Sequence, residues 1–203
     1  MRIRRVTGVL AGLAIMAMFA APARAQPSAA AGASDAEPTG DIGLTFNILR
    51  YEGETAKTGF GFDASRTVGR LGTGVGLQIA GDLSASYFSG SSDASYVYSG
   101  TTQTSFMGGI RLVGRGQPKA KARLFAQALA GAVHCCGETD AAMMFGGGVD
   151  VPIGGKRLNL RLQADVPAVF YKAGVDDDGV AYAAGRDVGF RFNVGLAIAL
   201  GGR

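Results

Sequence analysis

From Asp41 onward, hydrophobic and polar positions alternate along this chain with a period of two. Ile42, Leu44, Phe46 and Ile48 interleave with Asp41, Gly43, Thr45 and Asn47. Val75, Leu77, Ile79 and Leu83 interleave with Gly76, Gln78, Ala80, Asp82 and Ser84, and Phe106, Ile110 and Leu112 with Gln103, Ser105, Gly109 and Arg111. The clearest runs are Leu158 to Val166 and Phe190 to Leu200, where every second residue is Leu, Ile, Val, Phe or Ala. Each segment predicts a strand with one apolar and one small or polar face. Three weaker segments join them. Phe60 to Val68 and Ala142 to Ile153 alternate less cleanly, and Leu124 to Val133 is Ala-rich, nearly two-sided and a strand chiefly by its place in the order.

The eight segments are separated by connections of two kinds. Those near residues 69–73, 114–121 and 154–156 are short and Gly-rich. Those near 51–58, 89–101, 134–140 and 171–187 are mostly longer and more polar. Such asymmetry predicts an all-β fold, an eight-stranded antiparallel up-and-down β-barrel with tight turns at one end and loops at the other. An even strand number puts both termini at the tight-turn end.

Alternation alone does not say which face is outside, because soluble and membrane barrels exchange the two. Charge placement separates them. A soluble barrel dresses its exterior in Lys and Glu. Here Lys57, Lys119, Lys121, Lys156 and Lys172, with Glu37, Glu52, Glu54 and Glu138, all fall in predicted turns, loops or leader. The strands keep Asp and Arg, mostly on the polar face. That face is otherwise small, which suits a crowded lumen, and the bulky face is one that lipid would solvate. The expectation is therefore a transmembrane barrel, its backbone polar groups paired by closure.

The N-terminus changes the charge picture. Arg2, Arg4 and Arg5 precede an apolar stretch to about Ala21, and Ala23-Arg24-Ala25 supplies a small-x-small cleavage site, so residues 1–25 read as a signal peptide. Residues 26–40, rich in Ala, Ser, Gly and Pro, read as a disordered leader, and 41–203 as the barrel domain. The chain has 203 residues with 20 basic and 16 acidic side chains. Four of the arginines lie in the first 25 residues, which hold no acid, so the remainder carries 16 of each sign. That balance removes the basic footprint a nucleic-acid binder needs. Glycine, 33 residues, follows no fixed period, which excludes collagen. Beyond the N-terminus no apolar run reaches the roughly 20 residues of a spanning helix, which excludes a helical membrane protein.

The run Phe145-Gly146-Gly147-Gly148-Val149-Asp150-Val151, followed by Leu158 to Asp165, resembles the sixth and seventh strands of the small eight-stranded outer-membrane barrels: the OmpA transmembrane domain, OmpX and the opacity proteins. The end of the chain is similar to the C-terminal signal that barrel-assembly machinery reads, with Asn193, Gly195, Ile198 and Leu200 at its positions. The resemblance covers about residues 41–201 and speaks to architecture. It implies a Gram-negative cell-surface location, contact with outer-membrane lipids and the assembly machinery, and no cofactor. The usual terminal aromatic is absent, and with no Trp the aromatic girdle would draw on Tyr51, Tyr87, Tyr171, Phe60, Phe170 and Phe190.

On the polar face, Arg111, Arg161 and Arg191 accompany Asp63, Asp82, Asp150 and Asp165. Paired across a narrow lumen they would satisfy one another and plug it; a gated ion path is the alternative. Asp176, Asp177 and Asp178 could offer oxygen ligands to Ca²⁺, but their spacing is not that of an EF-hand, and a solvated turn suffices. His134, Cys135 and Cys136 fall in a predicted loop. Adjacent cysteines close only a strained ring, and one His with two Cys leaves a zinc site a ligand short. His134 is also the single candidate base for a Ser–His hydrolase, with no Ser placed beside it, so no enzyme is expected. The Tyr, Ser and Gly mixture of residues 89–98 suits an adaptable contact loop.

The sequence thus predicts an outer-membrane barrel with a structural or surface-interaction role, meeting an extracellular ligand or surface through its loops. A small pore for ions or solutes, and a soluble periplasmic barrel holding an apolar ligand, are the alternatives.

Overall fold

The computed structural model describes residues 38–52, 56–72, 74–88, 101–114, 122–135, 137–154, 157–175 and 181–201. The expected signal peptide, most of the leader, the contact loop at 89–98, Cys136 and Asp176 to Asp178 lie outside the described residues. Ten strands lie among the described residues: β1 (Gly40–Tyr51), β2 (Lys57–Leu71), β3 (Val75–Phe88), β4 (Thr101–Gly114), β5 (Arg123–Cys135), β6 (Glu138–Gly154), β7 (Leu158–Tyr171), β8 (Gly174–Val175), β9 (Ala181–Tyr182) and β10 (Gly185–Leu200). Eight close into one barrel in the order β1-β10-β7-β6-β5-β4-β3-β2. Every pairing is antiparallel, and β8 with β9 forms a separate two-residue hairpin inside the β7–β10 connection. No helix among the described residues is long and apolar enough to cross a membrane; a barrel crosses with strands.

The period-two pattern fixes the register. Closure sets Leu44 opposite Leu196 and Asn47 opposite Asn193 across β1–β10, and Leu44 opposite Phe62 across β1–β2. A one-residue slip would turn the whole apolar set inward and the ionic set outward, so the pattern specifies the pairing. Outward-facing Leu44, Phe60 and Leu124 are 64 %, 67 % and 68 % exposed. Inward-facing Asp41 and Arg161 are fully buried. The eight barrel strands run 12 to 17 residues, longer than the ten or so expected of a spanning strand.

Irregularities interrupt three of the ladders. The β2–β3 register shifts between Thr67 and Gly69, and the β6–β7 register between Pro152 and Gly154. In the β7–β10 ladder, pairing passes from Ala168–Val188 to Asp165–Arg191 and omits Pro167, which has no N–H to donate.

The connection at residues 134–140 is tighter than the sequence suggests. β5 runs to Cys135 and β6 starts at Glu138, with Gly137 at φ 87° making the turn. A left-handed residue there is at ease only without a Cβ. The two strands capture the flanking residues, so His134 pairs with Thr139 in the ladder.

At the closing seam, a Cβ on Gly195 would lie 2.1 Å from the Leu44 carbonyl oxygen, a backbone atom. Gly195→Val is therefore expected to push β10 off β1 and cost about 1–3 kcal/mol. A urea titration of the detergent-solubilised protein reads it. An unchanged midpoint would remove this steric account of Gly195.

Candidate functional site: the barrel interior

The inward faces of the strands stack three layers of side chains. At the lower end, where β1 begins, six charged groups from six strands meet. Arg161 of β7 grips Asp150 of β6 with two bonds, Nε to Oδ1 at 2.8 Å and Nη2 to Oδ2 at 2.9 Å. Its Nη2 also donates to Asp41 of β1 at 2.8 Å and its Nη1 to Asp63 of β2. Arg111 of β4 donates to Asp41 at 3.1 Å and to Asp63 at 3.1 Å and 3.2 Å. Arg123 of β5, one-fifth exposed at the lower mouth, joins Asp150 at 2.8 Å and Asp41 at 3.3 Å. Two of these cations stand over the ring of Phe125, whose centroid is 4.7 Å from the Arg111 guanidinium and 5.0 Å from that of Arg161. Each guanidinium meets the negative face of the ring, an attraction that strengthens where water is absent.

The middle layer centres on Arg191 of β10. Its two terminal nitrogens hold Asp82 of β3 at 2.9 Å and 2.8 Å. Its Nε and Nη2 donate to Asp165 of β7 at 3.1 Å and 3.0 Å. Asp165 further accepts from Gln127, Gln163 and Asn193 at 3.1, 2.7 and 2.9 Å. Gln127 couples the two layers, because its carbonyl oxygen accepts from Arg111 at 2.9 Å and 3.1 Å while its amide reaches Asp165. Arranged in this way, carboxylates and guanidiniums answer one another's charge and fill their hydrogen-bonding capacity, as burial demands.

The upper layer is apolar. Leu49, Met107, Leu129, Val133, Met144 and Val169 pack inward as one buried cluster with Tyr51. Tyr51 accepts a hydrogen bond from Gln103 at 2.9 Å and carries the Lys57 ammonium 5.0 Å over its ring. Between this layer and Arg191 lies a cavity of about 20 Å³. Five buried aspartates, Asp41, Asp63, Asp82, Asp150 and Asp165, face four buried cations, Arg111, Arg161, Arg191 and Lys57, and the part-exposed Arg123 at the lower mouth supplies a fifth.

All seven charged residues singled out on the polar face (Asp63, Asp82, Arg111, Asp150, Arg161, Asp165 and Arg191) lie in this interior and pair with one another. Three further charged groups join them. Asp41 lies on the polar face of the first alternating segment without standing among the seven, and Arg123 opens β5, just ahead of the segment that the alternation marks. Lys57, which the pattern places in a loop, opens β2 and is only 4 % exposed. Glu138, likewise expected in a loop, opens β6. Strands longer than the apolar pattern explain both corrections, since the barrel rises beyond its hydrophobic band. Tyr51 is corrected too: it faces the lumen, so it belongs to no outer aromatic ring. The nearly two-sided β5 has a physical reason, because Phe125, Leu129 and Val133 fill the interior while alanines face out.

Of the C-terminal residues, Asn193 faces inward and donates to Asp165, whereas Ile198 and Leu200 face outward. His134 Nδ1 lies 2.9 Å from Thr139 Oγ1 on the exposed upper edge. No cluster of three His, Cys, Asp or Glu suited to a metal occurs among the described residues.

Fold and interior together define a closed, eight-stranded, antiparallel barrel filled by side chains. Among solved structures, this chain is similar to the Neisserial surface protein A, with a TM-score of 0.51 at 10 % identity, over 79 % of this chain and 96 % of that one. Two crystal structures of Ail, the attachment invasion locus protein of Yersinia pestis, align with TM-scores of 0.44 and 0.43 at 15 % and 14 % identity, over 78 % of this chain and 95 % of theirs. The second holds the heparin analogue sucrose octasulfate. No family model matches the chain, and no curated protein matches it.

Proposed function

We propose that the chain is a bacterial outer-membrane β-barrel, exported by its N-terminal signal peptide, that serves as a rigid frame for surface contact through its loops. The observation that carries this reading is the inversion of the two faces. Large apolar side chains on every barrel strand point away from the axis, and the ionic ones are buried around it. Water outside would leave that apolar band unsatisfied, whereas acyl chains solvate it. A soluble barrel holding an apolar ligand needs the opposite arrangement. The Neisserial surface protein A supports the fold in this reading, and no more. Asn193, Gly195, Ile198 and Leu200 serve, in the same proposal, as the mark read by the assembly machinery.

Fractionation of cells expressing the full chain tests it. The protein is expected in the outer-membrane fraction, and unboiled samples should migrate faster on gels than boiled ones, as a detergent-stable closed barrel does. Recovery wholly in the soluble periplasm would end the proposal. The lumen, in this reading, is plugged. The ionic layers cross it, and the cavity above them has room for little more than a water. In planar bilayers the purified protein is expected to give no steady conductance; large, stable openings would favour the pore.

A further inference from the structure

The lower end of the barrel, where the tight connections lie, is positive. Residues 66–76, 113–122 and 154–157 hold seven lysines and arginines and no acid. The four longer connections, 51–58, 89–101, 134–140 and 171–187, hold nine acids against three lysines and arginines. Counting Asp35 and Glu37 of the leader with the lower end leaves it positive. Asp41 and Asp150, the strand carboxylates of the lower layer, are buried and already held by Arg111, Arg123 and Arg161.

At the closing seam this charge has a shape. Gly40 of β1 pairs with Arg66 of β2 on one side and with Leu200 of β10 on the other. Arg157 stands next along the rim, its carbonyl accepting from the Ala199 N–H at 2.8 Å. Gly40 carries no side chain and admits none, because a Cβ there would run into the Ser65 carbonyl oxygen. Arg66 and Arg157 therefore flank a gap in the side-chain cover beside the outward-facing Leu200. On the same rim Arg70 is exposed, and Val68, Leu71 and Ile153 are each more than half exposed. Cations beside apolar side chains at strand ends suit the boundary between acyl chains and phosphate. The aliphatic groups and the arginine methylenes take the hydrocarbon side, and the guanidiniums reach the headgroup oxygens. A hydrated polyanion would answer the charge but leave the aliphatic groups in water.

We propose that this rim is a docking surface for the headgroups of anionic phospholipids, with Arg66, Arg70 and Arg157 as its contacts. The inference rests on the outer-membrane reading, in which the tight turns face the periplasm and so meet the inner leaflet. The acid-rich opposite end repels the same headgroups, which confines the preference to one leaflet.

Spin-labelled lipids in phosphatidylcholine vesicles holding the reconstituted protein test this, with insertion checked first by the faster migration of unboiled samples. Labelled phosphatidylglycerol is expected to associate with the barrel on the order of fivefold more strongly than labelled phosphatidylcholine at low salt. The preference should fall away in about 1 M salt. Arg66→Gln, Arg70→Gln and Arg157→Gln combined should bring the two lipids level, whereas Lys172→Gln with Arg186→Gln, at the other end, should not. Equal association of both lipids with the wild-type barrel would overturn the proposal even where the triple variant fails to insert. So would a preference that survives the triple variant, or one lost equally in the double variant. Retention of the detergent-solubilised protein on purified peptidoglycan, lost in the triple variant and without any lipid preference, would assign the rim to the cell wall instead. Insertion without preference ends this inference alone; failure to insert ends the outer-membrane reading and this inference with it.

Discussion

Replacing Arg161 with methionine is expected to destabilise the barrel by about 3–5 kcal/mol, the largest loss any single lumen substitution should give. Arg161 is fully buried and is the one cation that touches Asp41, Asp63 and Asp150 together. Methionine keeps the length of the side chain and some of its packing on Phe125, but three carboxylates would then share Arg111 and Arg123. One negative charge would be left buried without its counter-charge. The penalty comes from that orphaned charge, and the net worth of the original pair is smaller. It follows that Arg161→Met combined with Asp150→Leu should lose less than Arg161→Met alone, since the double change restores neutrality. Urea unfolding of the detergent-solubilised protein, read by the faster-migrating folded band, gives both numbers. A single variant that unfolds at the wild-type midpoint would show that the ionic layer contributes nothing to stability.

Leu44→Arg should give the second largest effect, and its size depends on what lies outside the barrel. Leu44 is 64 % exposed, faces outward near the middle of β1 and pairs with Leu196. In a bilayer, an arginine near mid-depth on the lipid face costs about 2–4 kcal/mol. On a water-facing surface the same change usually stays within about 0.5 kcal/mol. Reversible unfolding from lipid vesicles, with Leu44→Ala as the reference for lost side-chain volume, separates the two. A near-neutral Leu44→Arg in vesicles would contradict the membrane reading, whatever the gel migration shows.

The alternation was legible because a strand between two unlike surroundings must repeat every second residue, and Leu158 to Val166 or Phe190 to Leu200 do so without interruption. Faces, strand order and most of the ionic set follow from that. Legibility fails at strand ends. The expected loop at 134–140 is mostly strand, because ladder hydrogen bonds continue past the point where the apolar pattern stops, up to Cys135 and Glu138. Lys57 looked like a loop residue for the same reason, as a lysine beyond the last apolar position reads as solvated. Its burial over Tyr51 becomes visible only when β1 and β2 are set side by side.

The sequence by itself determined which residues share a face and that strand charge is kept mostly to one side of the sheet, from spacing along a single strand, and that the strands run antiparallel, from the alternation of short and long connections. The tertiary structure decided who meets whom. Asp41 and Arg161 are 120 positions apart, and Phe125 reaches two guanidiniums from β4 and β7. Such contacts run through the interior of a closed cylinder, between strands distant in sequence. They depend on closure and on side-chain length, which alternation does not encode. The apolar upper layer is likewise a product of closure, because Leu49, Met107 and Val169 become a cluster only when the strands carrying them surround one space.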